Sequence, residues 1–436
     1  MGVYILIDSR KKDGRMVLTY YPEIIETGYL INMFRTIKLG KDTYLLTSDH
    51  GAWVAVNKEE LDLIMSYRVH EDPNLFSVLE NKGFILTERN VESVIKMMQR
   101  RYHFLFRGPT LHILIPTFRC NQRCIYCHSN AKGPEVRGFD MDVDTAKKIV
   151  DFILTSPSKE LIIEFQGGEP LLNFDVVKYI IEYAKGKAQK KKKIVKFSLV
   201  TNLTLMTEEK LDFLKRWHVV GISTSLDGPK EVHDKNRPFL SGTGSYEKVV
   251  YWVRRIKSEF NEYFSLNALT TITRYSLNFP KEIPQHLFEL GFSSVWLRFL
   301  NNLGYAHSLW KKIGYSADEY LGFYFKSLEH IFKLNKKRIF VEVFGRIISK
   351  KILSQFDPMF LDMQSPCGAG IGQLLYDHKG DIFTCDEAKV LGDTFKLGNV
   401  SRDTLKSVIS HPTTVAMMNI SSKLPLRCDA CPWFPY

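Results

Sequence analysis

Cys120-Asn-Gln-Arg-Cys124-Ile-Tyr-Cys127 sets three thiols at C-x3-C-x2-C spacing, and Cys367, Cys385, Cys428 and Cys431 gather toward the end of the 436-residue sequence. A long cysteine-free stretch separates the two groups. The opening residues Met-Gly-Val-Tyr-Ile-Leu-Ile-Asp meet an acid too early for a signal-peptide apolar region. In such a chain, clustered thiols read as metal ligands before they read as disulfides. Soft thiolates suit zinc or an iron–sulfur cluster. Three of them can hold a 4Fe-4S cluster by three irons and leave the fourth open. A structural zinc needs a fourth ligand, and His128 is the residue at hand.

Other short runs carry polar groups at places where a ligand would meet backbone. Gln166-Gly167-Gly168-Glu169-Pro170 pairs glycines, which let backbone come close to a ligand, with an acid suited to a cationic amine. Thr201-Asn202 and Ser223-Thr-Ser225-Leu-Asp227-Gly228-Pro229, followed by His233-Asp234-Lys-Asn-Arg237, offer further polar side chains.

These groups fall on a regular scaffold. Apolar strands are predicted at 112–115, 161–165, 195–200, 219–225, 265–272 and 294–299, and the cysteine triplet follows the first of them. Helices are predicted between them near 142–154, 174–184, 207–217, 245–258 and 280–290. In the first, Ala146, Ile149, Val150, Ile153 and Leu154 share one face. Six β-α units imply a parallel sheet with helices outside, either a partial barrel or a doubly wound sheet, with catalytic groups at the C-terminal strand ends.

Ahead of this lies a smaller pattern. Tyr44–Thr47 and Ala52–Val56 flank a Ser-Asp-His-Gly turn, and Asn57 with Glu60 marks a capped helix through Met65. A second helix, 73–82, is stopped by Gly83, and 84–87 returns as a strand, which suggests a winged-helix-like unit. A helix-rich stretch, 316–354, leads to the C-terminal cysteines.

The net charge of +12 admits an acidic peptide, an anionic cofactor or nucleic acid as partner, but much of it lies in Lys185–Lys193, which reads as a solvated helix end. Zinc-finger and basic-zipper spacings are absent. No apolar run approaches the roughly eighteen residues of a membrane helix, so a cytoplasmic setting without membrane or nucleic-acid partner is expected.

C-x3-C-x-aromatic-C after a first β-strand, with Tyr126 as the aromatic, resembles the signature of the radical SAM enzymes. The resemblance implies a partial (β/α)6 TIM-like barrel in which Cys120, Cys124 and Cys127 hold a 4Fe-4S cluster whose open iron chelates S-adenosylmethionine (SAM). Tyr126 would lie beside the adenine. Gly167, Gly168, Glu169 and Pro170 resemble the GGEP motif that binds the SAM amino group, and Thr201-Asn202 stands where the ribose is contacted. Ser225 and Arg237 match the serine and arginine that approach the SAM carboxylate in peptide-modifying members. The reduced cluster would cleave SAM to a 5′-deoxyadenosyl radical, which implies a low-potential donor such as ferredoxin or flavodoxin.

Cys367, Gly380 and Cys385 give C-x12-G-x4-C, and Cys428-Asp-Ala-Cys431 gives C-x2-C. Together with Leu397-Gly398-Asn399-Val400 they resemble the SPASM domain of radical SAM peptide maturases, which carries auxiliary 4Fe-4S clusters. The next cysteine of that pattern would fall just past Tyr436, so the auxiliary set is incomplete in this sequence. Truncation, or loss of that half of the domain, would explain it. One cluster on four cysteines, or zinc, stays open. Asp386 matches the aspartate that acts as general base in anaerobic sulfatase-maturing relatives.

The expected domains are 1–105, a winged-helix-like unit for peptide recognition; 106–310, the radical SAM core; 311–362, a helical bridge; and 363–436, a partial SPASM domain. The expected activity is modification of a side chain in a ribosomally made peptide or protein, the N-terminal block resembling the maturases of His-Xaa-Ser systems. Formylglycine formation by an anaerobic sulfatase-maturing type of enzyme is the alternative. A zinc-stapled, non-catalytic nucleic-acid binder is the alternative of another class.

Overall fold

The computed structural model describes residues 19–20, 28–354, 360–422, 430–434 and 436. They form two compact units: one from the described residues of 1–106, 347–368 and 416–436, the other from 107–346 and 369–415.

In the first unit, β1 (Thr19–Tyr20), β3 (Phe34–Lys38), β4 (Tyr44–Thr47) and β5 (Trp53–Val56) make one antiparallel sheet, and β2 (Leu30–Ile31) pairs with β6 (Ile85–Leu86) in another. The predicted hairpin is β4–β5, in register Tyr44 to Val56. Helix α1 (Lys58–Met65) starts on the expected capping box, Asn57 receiving the Glu60 amide and Glu60 the Asn57 amide. Helix α2 (Pro73–Asn81) is capped by Asp72. The returning strand, β6, pairs with Leu30–Ile31, held by hydrogen bonds from the Asn32 amide to Phe84 O and from Asn32 Nδ2 to Gly83 O, both 2.8 Å. A further helix, α3 (Val91–Arg101), lies outside the predicted elements although Val91, Val94, Ile95 and Met98 recur at helical spacing; of its apolar residues Val94 alone is buried.

The last residues dock on this same unit. Thr47 Oγ1 donates to Pro432 O at 2.7 Å, Tyr436 Oη to Ala52 O at 3.2 Å, and the Arg35 guanidinium lies 5.0 Å over the Phe434 ring.

The second unit is built on one large, mostly parallel sheet. Its strands are β7 (Leu111–Thr117), β8 (Glu160–Gly167), β9 (Ile194–Thr201), β10 (Val219–Ser225), β11 (Ser265–Thr271), β12 (Ser294–Arg298), β13 (Val341–Glu342), β14 (Gln373–Tyr376), β15 (Asp381–Phe383) and β16 (Lys396–Asn399). Their spatial order is β13-β12-β11-β10-β9-β8-β7-β14-β15-β16. Helices α4 (Val143–Ile153), α5 (Phe174–Lys190), α6 (Glu208–Arg216), α7 (Lys230–Asn236), α8 (Tyr246–Glu259), α9 (Glu282–Glu289), α10 (Tyr305–Ile313) and α11 (Ala317–Asn335) follow or connect the strands. Helix α12 (Val343–Ser354) runs on from β13 and belongs to the first unit from Ile347; α13 (Asp386–Lys389) follows β15, α14 (Leu405–Ile409) follows β16, and α15 (Pro412–Ser422) belongs to the first unit from Ala416.

Strand alternation explains why this sheet can both pack and hold a ligand. Leu161, Ile163 and Phe165 of β8 and Val195, Phe197 and Leu199 of β9 join the core under α4 and α5, where Ala146, Ile149, Val150 and Ile153 are buried as expected. The opposite face is polar: Glu164 accepts from Gln166 at 2.7 Å and from Ser198 at 2.9 Å. The lysine-rich run ends α5; Lys187 pairs with Asp151 at 3.5 Å, and Lys193 Nζ caps Ser158 O at 2.7 Å. Gly186, inside α5, has open space where a Cβ would stand. Gly186→Ala is expected to stabilise the protein by about 0.5–1 kcal/mol, read as a raised Tm.

The sheet is larger than the six-unit reading. β13 is two residues long, too short to show a period. β14 lies parallel to β7 and buries all four residues, so it shows no alternation. The expected C-terminal glycine sits in the turn after β14, where Gly380 has φ +78°. Among the described residues, no helix is long and apolar enough to cross a membrane.

Candidate active site

The cysteine loop leaves the C-terminal end of β7 and is fastened by its own continuation and by the segments at the end of α7 and the start of α10. The Cys120 amide donates to Lys132 O at 2.8 Å, the Arg123 amide to Pro238 O at 2.8 Å and the Ile125 amide to Asn236 O at 3.0 Å. Cys127 O accepts from the Tyr305 amide at 2.9 Å. Cys120 and Cys124 are buried and Cys127 half-buried. Burial pushes the Cys124 thiol up to about 12, against the pull of the Arg237 charge, and raises Cys120 as well, with Cys124 and Glu169 adding to the effect. Such thiols stay protonated until a metal displaces the proton.

The glycine pair after β8 makes its close approach to this loop's own backbone. A Cβ on Gly167 would stand 2.6 Å from Thr117 O, and one on Gly168 2.2 Å from Arg119 O. Glu169 is fully buried. Its carboxylate takes Thr201 Oγ1 at 2.7 Å, the Asn202 amide at 2.7 Å and the Leu171 amide at 3.0 Å. Burial raises its pKa, and those hydrogen bonds oppose the rise. Pro170, also buried, begins a short turn behind it. Asn202 Nδ2 reaches the Cys120 sulfur at 3.8 Å and Asn121 Oδ1 at 3.0 Å.

At the end of β10 a buried polar chain leads back to the same loop. Arg237 Nη1 donates to Tyr126 Oη at 2.8 Å, and Tyr126 Oη lies 2.8 Å from Asp227 Oδ2. Asn236 Nδ2 also reaches Asp227 Oδ2, at 3.1 Å. Arg237 Nη2 donates to Gln122 Oε1 at 3.0 Å. Burial opposes the Arg237 charge, but Cys124, Tyr126 and Asp227 outweigh it and hold its pKa well above the usual range. His233, buried, is fixed by Ser245 Oγ at 3.0 Å, which donates in turn to Arg237 O at 2.6 Å. Ser225, on the same strand, is half-buried.

A profile of the radical SAM superfamily matches residues 114–275, the stretch that carries this loop and these strand ends. A cysteine-type anaerobic sulfatase-maturating enzyme of Clostridium perfringens is 26% identical over 340 residues, 75% of this chain and 87% of that protein. The protein is a radical SAM enzyme. Two solved structures share the fold. One is anSMEcpe with bound AdoMet and Cp18Cys peptide, with TM-score 0.63 and 23% identity over 75% of this chain and 87% of that one. The other is Streptococcus suis SuiB bound to precursor peptide SuiA, with TM-score 0.56 and 15% identity over 95% and 94%. The non-catalytic nucleic-acid reading is thereby replaced.

A radical SAM enzyme implies a 4Fe-4S cluster and SAM, and the residues of this loop fit that demand. Two buried donors, Gln122 Nε2 and Arg237 Nε, lack an acceptor among the described residues, and both side chains belong to the chain that ends on Cys124. Three soft thiols beside unspent donors suit a group rich in acceptor sulfur. In a four-iron cluster each of the three thiolates would bind a different iron.

The C-terminal cysteines are dispersed between the units. Cys385 lies in the second, where its sulfur accepts the Ala388 amide at 3.3 Å and caps α13. Cys367, exposed, and Cys431, half-buried, lie in the first, and Cys428 is outside the described residues. Asp386 is half-buried at the start of α13. It stands near enough to His128, the neighbour of Cys127, for its charge to oppose the burial that lowers the His128 pKa. Sequence reasoning assigned no role to Gln122 or Asp227. The signal was there for Gln122, an amide set between two cysteines where an apolar side chain would fill the space.

Proposed function

We propose that this radical SAM enzyme is a peptide maturase: it cleaves SAM reductively and uses the 5′-deoxyadenosyl radical on a side chain of a ribosomally made peptide or protein. In this reading Cys120, Cys124 and Cys127 hold the cluster at the end of a (β/α)6 barrel. The strand-end groups Tyr126, Gly167 to Pro170, Thr201, Asn202, Ser225 and Arg237 surround SAM. Residues 1–105 recognise the peptide, 106–310 form the core, 311–362 the bridge and 363–436 the auxiliary domain with Cys367, Cys385, Cys428 and Cys431. The cluster and SAM supply the radical; the protein binds, orients and excludes water. A ferredoxin- or flavodoxin-class protein supplies the electron.

The observation that carries the reading is Asp386. It opens α13 directly after β15, and β15 is joined through β14 to β7, the strand that leads into the cysteine loop. A carboxylate there suits a general base for the substrate side chain. The full-length likeness in fold to SuiB, solved with a precursor peptide, supports a peptide as substrate. Asp386→Asn is expected to leave 5′-deoxyadenosine formation within about threefold of wild type while product falls by 10²–10⁴, measured by chromatography and peptide mass spectrometry. A normal product yield defeats the assignment.

Formylglycine formation is the second reading, favoured by the extent of the match to the sulfatase-maturating enzyme. A sulfatase-derived peptide offered under reductant separates the two: an aldehyde product selects the sulfatase reading, and intact peptide selects another maturation target.

A further inference from the structure

Gln122 stands midway between Cys120 and Cys124 and is 4% exposed. Its Oε1 receives Arg237 Nη2 at 3.0 Å and lies 3.6 Å from the Cys124 sulfur. Arginine has no acceptor and keeps its proton, so the oxygen is the side of the amide turned toward Arg237. The Nε2 side is left over. It is buried, carries two donor protons, and meets no acceptor among the described residues. An unpaired buried donor is costly, and a glutamate there would receive Arg237 without carrying one. The amide is therefore explained by an acceptor that arrives with the cluster.

We propose that Gln122 sets the reduction potential of the cluster. Its Nε2–H donates to cluster-bound sulfur beside Cys124, and Arg237 acts as the positioning residue that orients the amide. The inference rests on the reading that Cys120, Cys124 and Cys127 hold the cluster. A hydrogen bond to cluster sulfur favours the more negative, reduced state and raises the potential. One electron enters from the low-potential donor protein, and the hydrogen bond transfers no proton.

The test is a redox titration of the anaerobically reconstituted full chain, followed by electron paramagnetic resonance. The signal of a variant with all three loop cysteines changed to alanine is subtracted, which removes any auxiliary cluster. Q122L is expected to bind normal iron yet be harder to reduce. At the wild-type midpoint its ratio of reduced to oxidised cluster falls about tenfold, a shift of about 59 mV for one electron. Q122E, of the same shape but without the donor, is expected to move in the same direction. An unchanged midpoint overturns the proposal.

If Q122L fails to hold its cluster, the wild type carries the test. With nitrogen-15 glutamine, pulsed resonance is expected to show coupling from a side-chain amide to the reduced cluster, and its absence overturns the proposal. Gln166 does not confuse the assignment, because its Nε2 donates to Glu164 at 2.7 Å. A cluster signal that survives in the triple cysteine variant at full strength defeats the underlying ligand reading as well, so the two failures are distinct.

Discussion

Gly168→Ala is expected to lower SAM cleavage by at least about 100-fold, because a displacement near 1 Å at a reacting centre costs that much. The new Cβ would stand 2.2 Å from Arg119 O, 2.6 Å from Arg119 C and 2.7 Å from Phe118 C. All three are backbone atoms, so no flexible side chain can swing aside. The two segments are also stitched together by hydrogen bonds, Gly168 N–H to Thr117 O at 2.9 Å and Glu169 N–H to Arg119 O at 2.8 Å. The strain passes to the residue before Cys120. Overpacking of this kind costs about 1–3 kcal/mol, enough to shift the thiol without unfolding the sheet. The measurement is 5′-deoxyadenosine formed under reductant together with iron content, with Gly186→Ala as the matched control. Wild-type values for Gly168→Ala would refute the close-approach argument.

Acid is expected to loosen the sheet through His112. This imidazole is fully buried on β7, the strand that leads into the cysteine loop, and bonds Tyr376 Oη of β14 through Nδ1 at 2.9 Å. Burial pushes its pKa down to about 3 from 6.5. The folded state therefore stays neutral where the unfolded chain takes up a proton. The contribution is complete above pH 6.5 and declines as pH falls toward 3. At about 1.4 kcal/mol per pH unit, the loss between pH 7 and pH 5 is about 2 kcal/mol. Hydrogen exchange of the β7 and β14 amides in cluster-free protein should show that loss, after correction for the pH dependence of intrinsic exchange. In His112→Gln, which keeps a polar partner for Tyr376 but does not titrate, the acid-side slope should disappear. An unchanged slope would place the acid sensitivity in another group.

Much of the scaffold was legible because its signals are local. The apolar face of α4 follows from residue spacing, and Asn57 with Glu60 marks the start of α1 by capping chemistry alone. The strand-end positions of Gly167, Thr201 and Ser225 follow from periodicity too. β14 was not legible, since a strand buried on both faces has no alternation; α3 is marked by Val91, Val94, Ile95 and Met98 at helical spacing, though Val94 alone of its apolar residues is buried. The pairing of β6 with β2 was hidden for another reason. Two-residue strands are fixed by a partner far away in sequence, here through the Asn32 side chain.

The same division holds at the site. The sequence by itself determined the chemistry class, because thiol number and spacing restrict the group that three soft ligands can hold, and those residues lie within one short loop. The tertiary structure alone decided what surrounds them. It turned the glycine pair toward the loop backbone, committed Glu169 to Thr201 and Asn202, and joined Arg237 to Tyr126 and Gln122 across more than a hundred residues. It also brought Asp386 into the field of His128. Spacing can report neighbours within a turn or a loop. Partners that meet at the ends of different strands are chosen by sheet order, which no local pattern encodes.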